Sequence, residues 1–135
     1  MFEKEKAEYM TQRTYLQLPI NADEGFPQSF RLSFNGTVYQ VLLYVNVLED
    51  GPATPDADGF YSLPTPGAFM VMRVLREDAG GTVTIFQRKL VPNLEYEAAE
   101  VAFVFRQMQV AKSNLNGIGS FGSQVIGGIA TRWVS

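Results

Sequence analysis

The stretch that decides the fold is SFRLSFNGTVYQVLLYV, residues 29–45. Apolar and polar residues alternate before Asn35-Gly36, and a mostly apolar run rich in Val, Leu and Tyr follows it, which is typical of two paired strands. Asn-Gly tolerates the positive φ angles of a type I′ turn, so a tight hairpin is predicted. A two-residue turn also fixes the register. The predicted facing pairs are Phe34 with Thr37, Leu32 with Tyr39 and Phe30 with Val41.

The second strand of this hairpin is apolar on both faces. One face carries Tyr39 and Val41, which are predicted to pair with the first strand. The opposite face carries Val38, Leu42 and Tyr44. A strand with two apolar faces lies in the centre of a sandwich or barrel, or is covered by another protein. The hairpin therefore predicts a β fold with an additional surface to bury.

The segments around the hairpin extend the β pattern. Further strands are predicted over 14–18, 68–75 and 82–87 from alternating or β-branched residues. Residues 49–67 are rich in Gly, Pro and Asp, and they are predicted to form a long loop. Residues 95–112 fit a helix or a strand, and their dense Val and Phe content favours a strand over 100–110.

The chain is therefore predicted to be mainly β, with a small antiparallel β-sandwich or partly closed barrel over residues 14–112. A short N-terminal arm, residues 1–13, precedes this domain, and a glycine-rich apolar tail, residues 113–135, follows it. The tail is too apolar for a flexible linker and too rich in glycine for a lone helix. It is predicted to cover either its own domain or another subunit.

Composition argues against several functional classes. The chain has 135 residues, a net charge of −3 and neither His nor Cys, so the usual general base and the commonest metal ligands are missing. We expect no enzymatic activity, no cofactor and no metal site. There is no basic cluster of the kind that nucleic acids require. No apolar run is long enough to span a bilayer, and no signal peptide is recognised.

Two motif-like segments carry little chemical information. Residues 117–122 spell GIGSFG, but a dinucleotide site needs a helix after the glycines and an acidic residue about 20 positions on, and neither follows here. Residues 56–59 spell DADG, but the spacing of a calcium loop is not kept, so an Asp-Gly turn is predicted.

The sequence resembles the small baseplate plug proteins of contractile-tailed bacteriophages over roughly residues 14–110. The resemblance is carried by YLQLPI at 15–20, the hairpin QSFRLSFNGTVYQVLLYVN at 28–46, the strand at 69–74 and LVPNL at 90–94. It departs from the family in its longer insert at 49–67, in Phe69 where a tryptophan often opens the third strand, and in its glycine-rich tail.

The resemblance implies a structural role in the virion. The chain would be assembled in the host cytoplasm, sit at the central hub of the tail baseplate near the tube end, and contact other hub and tube proteins. It could also form a homo-oligomer. The candidate contact residues are Tyr39, Tyr44, Phe121, Ile126 and Trp133.

The alternative function is a β-sandwich binding module for a carbohydrate or a receptor. This hypothesis expects Phe60 and Tyr61, on the 49–67 loop, to be exposed and to form a platform for a sugar.

Overall fold

The structure, a computed structural model, describes residues 13–133 and contains nine strands and two short 3-10 helices in that range. The predicted N-terminal arm lies outside the described residues apart from Arg13. The strands are β1 Leu16–Gln17, β2 Gln28–Phe34, β3 Thr37–Val47, β4 Phe60–Ser62, β5 Ala68–Asp78, β6 Gly81–Lys89, β7 Tyr96–Ala98, β8 Val101–Ala111 and β9 Gln124–Thr131. The 3-10 helices are Ala22–Glu24 and Lys112–Asn114.

The strands form two antiparallel sheets that share one core, so the predicted antiparallel β-sandwich is confirmed. The first sheet has the order β2-β3-β5-β6. The second has the order β1-β9-β8-β4, and β7 pairs with β8 beside β4. The two sheets meet through buried side chains of both, with Phe86 of the first sheet against Tyr96 and Phe103 of the second.

The hairpin that opens the first sheet is confirmed in its turn and in its register. Asn35 and Gly36 have φ angles of 51° and 78°, the positive values that a type I′ turn requires. The facing pairs are Phe34 with Thr37, Leu32 with Tyr39 and Phe30 with Val41. Local sequence was sufficient here because the turn alone sets the pairing.

The segment 95–112, which fitted a helix or a strand, is extended. It contains β7 and β8, and β8 has five consecutive buried residues from Val101 to Phe105. A run that is buried on both faces belongs to a central strand. β8 pairs with β9 on one edge and with β7 and β4 on the other.

The prediction of an uninterrupted loop over 49–67 is wrong at its end. Phe60–Ser62 form β4, which pairs with residues 109–111 of β8. Tyr61 and Leu63 are buried in the core. This strand was missed because its three residues stand among prolines and glycines, and only a partner about 50 residues away stabilises it.

The separation of residues 113–135 as a tail outside the β domain also needs correction. Residues 124–131 form β9, which lies between β1 and β8 inside the second sheet. Val125 and Ile129 belong to the buried core. Of the two surfaces that the segment was predicted to cover, the structure shows it against its own domain.

Two adjacent glycines let β9 fit between its neighbours. A Cβ atom on Gly127 would lie 2.7 Å from the ring of Phe105, its cross-strand partner on β8. A Cβ atom on Gly128 would lie 2.9 Å from the Cβ atom of Tyr15 on the opposite face. Glycine is needed at both positions because aromatic side chains from the neighbouring strands occupy the space of a side chain.

Replacement of Gly127 by alanine is expected to destabilise the fold. The added methyl group must displace the buried ring of Phe105, and overpacking of this kind costs about 1–3 kcal/mol. Urea unfolding followed by circular dichroism measures the loss. Gly80→Ala is the matched control, because a Cβ atom there meets nothing within 4 Å. Equal free energies of unfolding for the two variants would contradict the packing of β9 against Phe105.

Candidate functional site

The five candidate contact residues fall in different parts of the molecule. Tyr39 is 1% exposed and belongs to the core, so its assignment to a contact surface is corrected. It was misassigned because β3 has two apolar faces, and the sequence does not tell which face points inward. The other four reach the surface of the described chain to different degrees, and they do not form one patch.

Tyr39 instead holds one end of the sandwich together. Its hydroxyl donates a hydrogen bond of 2.5 Å to Oε2 of Glu100, in the turn between β7 and β8. Arg76 of β5 donates to Oε1 of the same carboxylate at 2.7 Å and also binds Asp78. Glu100 is thus bound from the first sheet by two side chains, which fixes the two sheets relative to each other.

The protonation of this cluster follows from its contacts. Burial, together with the bond to Glu100, raises the pKa of the Tyr39 hydroxyl well above its usual value. Burial alone would raise the pKa of the Glu100 carboxyl, but the bonds from Tyr39 and Arg76 outweigh it and hold that pKa below its usual value. Near neutral pH the charged Glu100 carboxylate therefore lies between a neutral phenol and a charged guanidinium, which suits a structural role.

Two further carboxylates, those of Glu95 and Glu97, are also bound to arginine. Arg13 lies 3.1 Å from Glu95 and 2.7 Å from Glu97. The hydroxyl of Tyr15 donates to Glu95, and burial together with this bond raises the pKa of Tyr15 to about 12. These contacts attach the residues just before β1 to β7 and to the residue that precedes it.

The outer face of the first sheet is a broad, partly apolar surface. We define it by the side chains that point away from the core on β3 and β5: Leu42, Tyr44, Phe69, Val71, Arg73 and Leu75. Their neighbours Val41, Leu43, Met70, Met72 and Val74 fill the core, so alternation directs these residues outward. The residues described in the structure form no third layer over this face.

Arg73 lies near the middle of this outer face with an unsatisfied donor. Its register partners are Leu42 on β3 and Gln87 on β6, and its guanidinium donates to Thr84 at 3.2 Å. Its Nε atom is shielded from solvent and has no acceptor among the described residues. A buried donor without a partner is uncommon in folded proteins. The sequence does not predict this unpaired donor, because it results from the pairing of three strands.

A second candidate surface is the loop between β8 and β9, which is fixed by a buried asparagine. Asn114 is fully buried, and its side-chain amide donates to the carbonyls of Gly117 and Gly119 at 3.2 and 2.9 Å. Its side-chain oxygen accepts a 2.7 Å bond from Ser123. The loop is also bound to the first 3-10 helix, where Ser120 donates to Asp23.

This fixed loop presents two large apolar side chains to solvent. Ile118 is 83% exposed and Phe121 is 47% exposed. The GIGSFG segment is thus a loop held by Asn114, and it is followed by β9 rather than by a helix. Phe121 was predicted as a contact residue, whereas Ile118 was missed. Rigid loops that expose apolar side chains are common elements of binding surfaces.

The remaining candidates lie elsewhere. Tyr44 is half-buried on the outer face of the first sheet, where it pairs with Val71. Ile126 is exposed on the outer face of the second sheet, beside Tyr15 and Val104. Trp133 is exposed just beyond the end of β9, with the guanidinium of Arg132 5.5 Å from its ring centre. The candidate contacts therefore point in several directions.

The aromatic platform that the carbohydrate-binding alternative requires is not formed by Phe60 and Tyr61. Tyr61 is buried under β8, and Phe60 is half-buried with its ring beside Gly122. The DADG segment folds as the predicted turn, in which Oδ1 of Asp56 accepts bonds from the backbone amides of Asp58 and Phe60.

Residues 13–133 also lack two other structural features. In that range no three or more His, Cys, Asp or Glu residues are grouped so that they could hold a metal ion. No helix of the same range is long and apolar enough to cross a membrane.

Replacement of Asn114 by alanine is expected to loosen the loop that carries Ile118 and Phe121. The change leaves two backbone carbonyls without their donor, and a buried unsatisfied group costs about 1–3 kcal/mol. Chemical denaturation gives the free energy of unfolding, and hydrogen exchange of residues 115–122 reports the local effect. Asn116→Ala, at an exposed position of the same loop, is the matched control and should leave both unchanged. Unchanged exchange in Asn114→Ala would show that Asn114 does not fix the loop.

Comparison of the chain with family models, with curated proteins and with solved structures gave no match.

Proposed function

We propose that this chain is a structural component of the baseplate of a contractile phage tail, located at the central hub near the end of the tube. It acts through contacts with other hub and tube proteins, and this role involves no catalysis. The proposal follows from the resemblance of residues 14–110 to the baseplate plug proteins, carried by YLQLPI at 15–20 and the hairpin at 28–46.

The observation that carries the proposal is the distribution of the apolar surface. Apolar contact candidates lie on the outer face of the first sheet, on the outer face of the second sheet, on the loop at 115–122 and at Trp133. A module that binds one small ligand concentrates such residues in a single concave site. A subunit surrounded by several neighbours needs them on several sides.

The outer face of the first sheet supports the same function. Its apolar residues, which are half-buried except for the buried Val71, surround Arg73, and arginine and tyrosine are among the residues most enriched at the centres of protein interfaces. A neighbouring subunit that covered this face would pack against the apolar residues around Arg73. Burial of the face would also resolve why β3 and β5 are apolar on both sides.

The loop at 115–122 is suited to insertion against a neighbour. Ile118 and Phe121 are held by the Asn114 network before any partner binds, so binding would cost little ordering entropy. Such preorganised contacts favour an assembly that stays together once it has formed.

The test is to locate the chain in purified tails. Contractile tails are isolated from the source of the gene and labelled with an antibody raised against the folded protein, with a sheath antibody as position marker. The expected result in electron micrographs is a label at the baseplate end of the tube. Absence of the chain from the tails, or a label distributed along the sheath, would contradict the proposal.

Variants in the loop make this test specific. In a strain that lacks the gene, Phe121→Asp is expected to fail to restore complete baseplates, because a charge is placed in the contact. Asn116→Asp adds the same charge at an exposed position of that loop and should restore them. Equal restoration by both variants would remove the loop from the proposed interface.

A further inference from the structure

The edges of the two sheets differ in how they are protected against pairing with other chains. An exposed edge strand offers unpaired N–H and C=O groups, and natural proteins block such edges with short strands or with charges. β1, β4 and β7 have two, three and three residues. β2 is longer but carries Arg31, largely exposed, at its centre.

β6 is not a short strand, and its first half carries no charge. It is nine residues long, it lies at the edge of the first sheet, and no strand of residues 13–133 pairs with its outer edge. Residues 81–86 read Gly-Thr-Val-Thr-Ile-Phe and contain no charge. Residues 81–84 are exposed, and Val83 is 44% exposed. The charges of β6, Arg88 and Lys89, lie at its far end.

We propose that β6 pairs antiparallel with β6 of a second copy of this chain, about a two-fold axis at Val83. Two first sheets would then join into one continuous eight-stranded sheet. The proposal concerns the isolated protein and does not rest on the baseplate assignment.

The hydrogen-bonding pattern of the β5–β6 hairpin sets this register. Asp78 faces Gly81 across a two-residue turn, and Arg76 faces Val83. The closing pair of such a hairpin is hydrogen-bonded, and bonded pairs alternate with non-bonded pairs along the strands. The backbone N–H and C=O groups of Val83 therefore point towards β5, whereas those of Thr82 and Thr84 point to the open edge.

Antiparallel pairing about Val83 gives a hydrogen-bond partner to each outward-pointing N–H and C=O group of Thr82 and Thr84. Thr82 of each copy faces Thr84 of the other, which gives four backbone hydrogen bonds across the axis. Facing threonines are a favourable cross-strand pair. Val83 faces its own equivalent in a non-bonded pair, where side chains approach most closely. The exposed apolar side chain of Val83 would thereby be buried.

The extent of the pairing and the charges at its ends are consistent with a second copy as the partner. The register of β5 and β6 shifts between Val74 and Leu75, a bulge on β6 that limits straight pairing to the half nearest the turn. Beyond that half, Arg88 of an antiparallel second copy would lie near the turn that carries Asp78 of the first copy. The two-fold axis repeats this attraction at the other end, whereas a parallel arrangement would bring like charges together.

A cysteine at the axis tests the geometry directly, because the chain has no cysteine of its own. Val83→Cys is expected to form a covalent dimer on mild oxidation, since residues facing each other in a non-bonded pair are close enough for a disulfide. Val91→Cys is the matched control, because Val91 is 45% exposed but lies outside the strands. Equal rates of cross-linking for the two variants would overturn the proposal.

Sedimentation velocity over a range of concentrations tests the association without a cross-link. The unmodified chain is expected to dimerise, and Val83→Lys is expected to raise the dissociation constant roughly tenfold or more, because two like charges would face each other at the axis. Val91→Lys should leave the constant unchanged, and circular dichroism should show both variants folded. A chain that stays monomeric at millimolar concentration would overturn the proposal. So would slow hydrogen exchange of Thr82 and Thr84 in a monomer, since another part of the chain would then cover the edge.

Discussion

The pairing of β8 with β9 is the interaction on which the second sheet depends. β8 is the strand through which every other strand of that sheet is joined, and β1 reaches it through β9. The contact requires Gly127 and Gly128, because the ring of Phe105 lies over one face of β9 and Tyr15 lies over the other. The last strand in the sequence is thus held between aromatic side chains from a neighbour on each side.

This arrangement explains how a glycine-rich segment serves both the fold and the surface. Residues 124–131 complete the core, whereas the preceding loop is fixed by Asn114 and exposes Ile118 and Phe121. At the other end of the sandwich, Tyr39 and Arg76 bind Glu100 and join the two sheets. Apolar surface that the core does not use therefore remains on rigid elements, which is what a structural subunit needs in order to contact neighbours without refolding.

Local pattern was sufficient for the strands of the first sheet and for β1 and β8, and insufficient for the other strands of the second sheet. The hairpin at 28–47 could be predicted with its turn and register, because Asn35-Gly36 and the alternation over residues 29–34 are local signals. β4 and β9 could not be assigned, because each is stabilised by pairing with β8 and glycines and prolines in or around it disfavour a strand. The same limit applies to the surfaces: Phe121 was predicted, Ile118 was missed, and Tyr39 was assigned to the surface although it is buried.

Hydrogen exchange of the isolated protein, read residue by residue along 114–133, tests the central claim that the C-terminal segment is part of the folded domain. The structure predicts slow exchange over residues 125–130, comparable with that of β8, because β9 pairs with β8 along this whole range and also with β1 at Gly128 and Ile129. It also predicts faster exchange at the exposed positions of the 115–122 loop. Fast exchange throughout 114–133, with protection confined to the rest of the sandwich, would show that this segment folds only against a partner and would contradict the account.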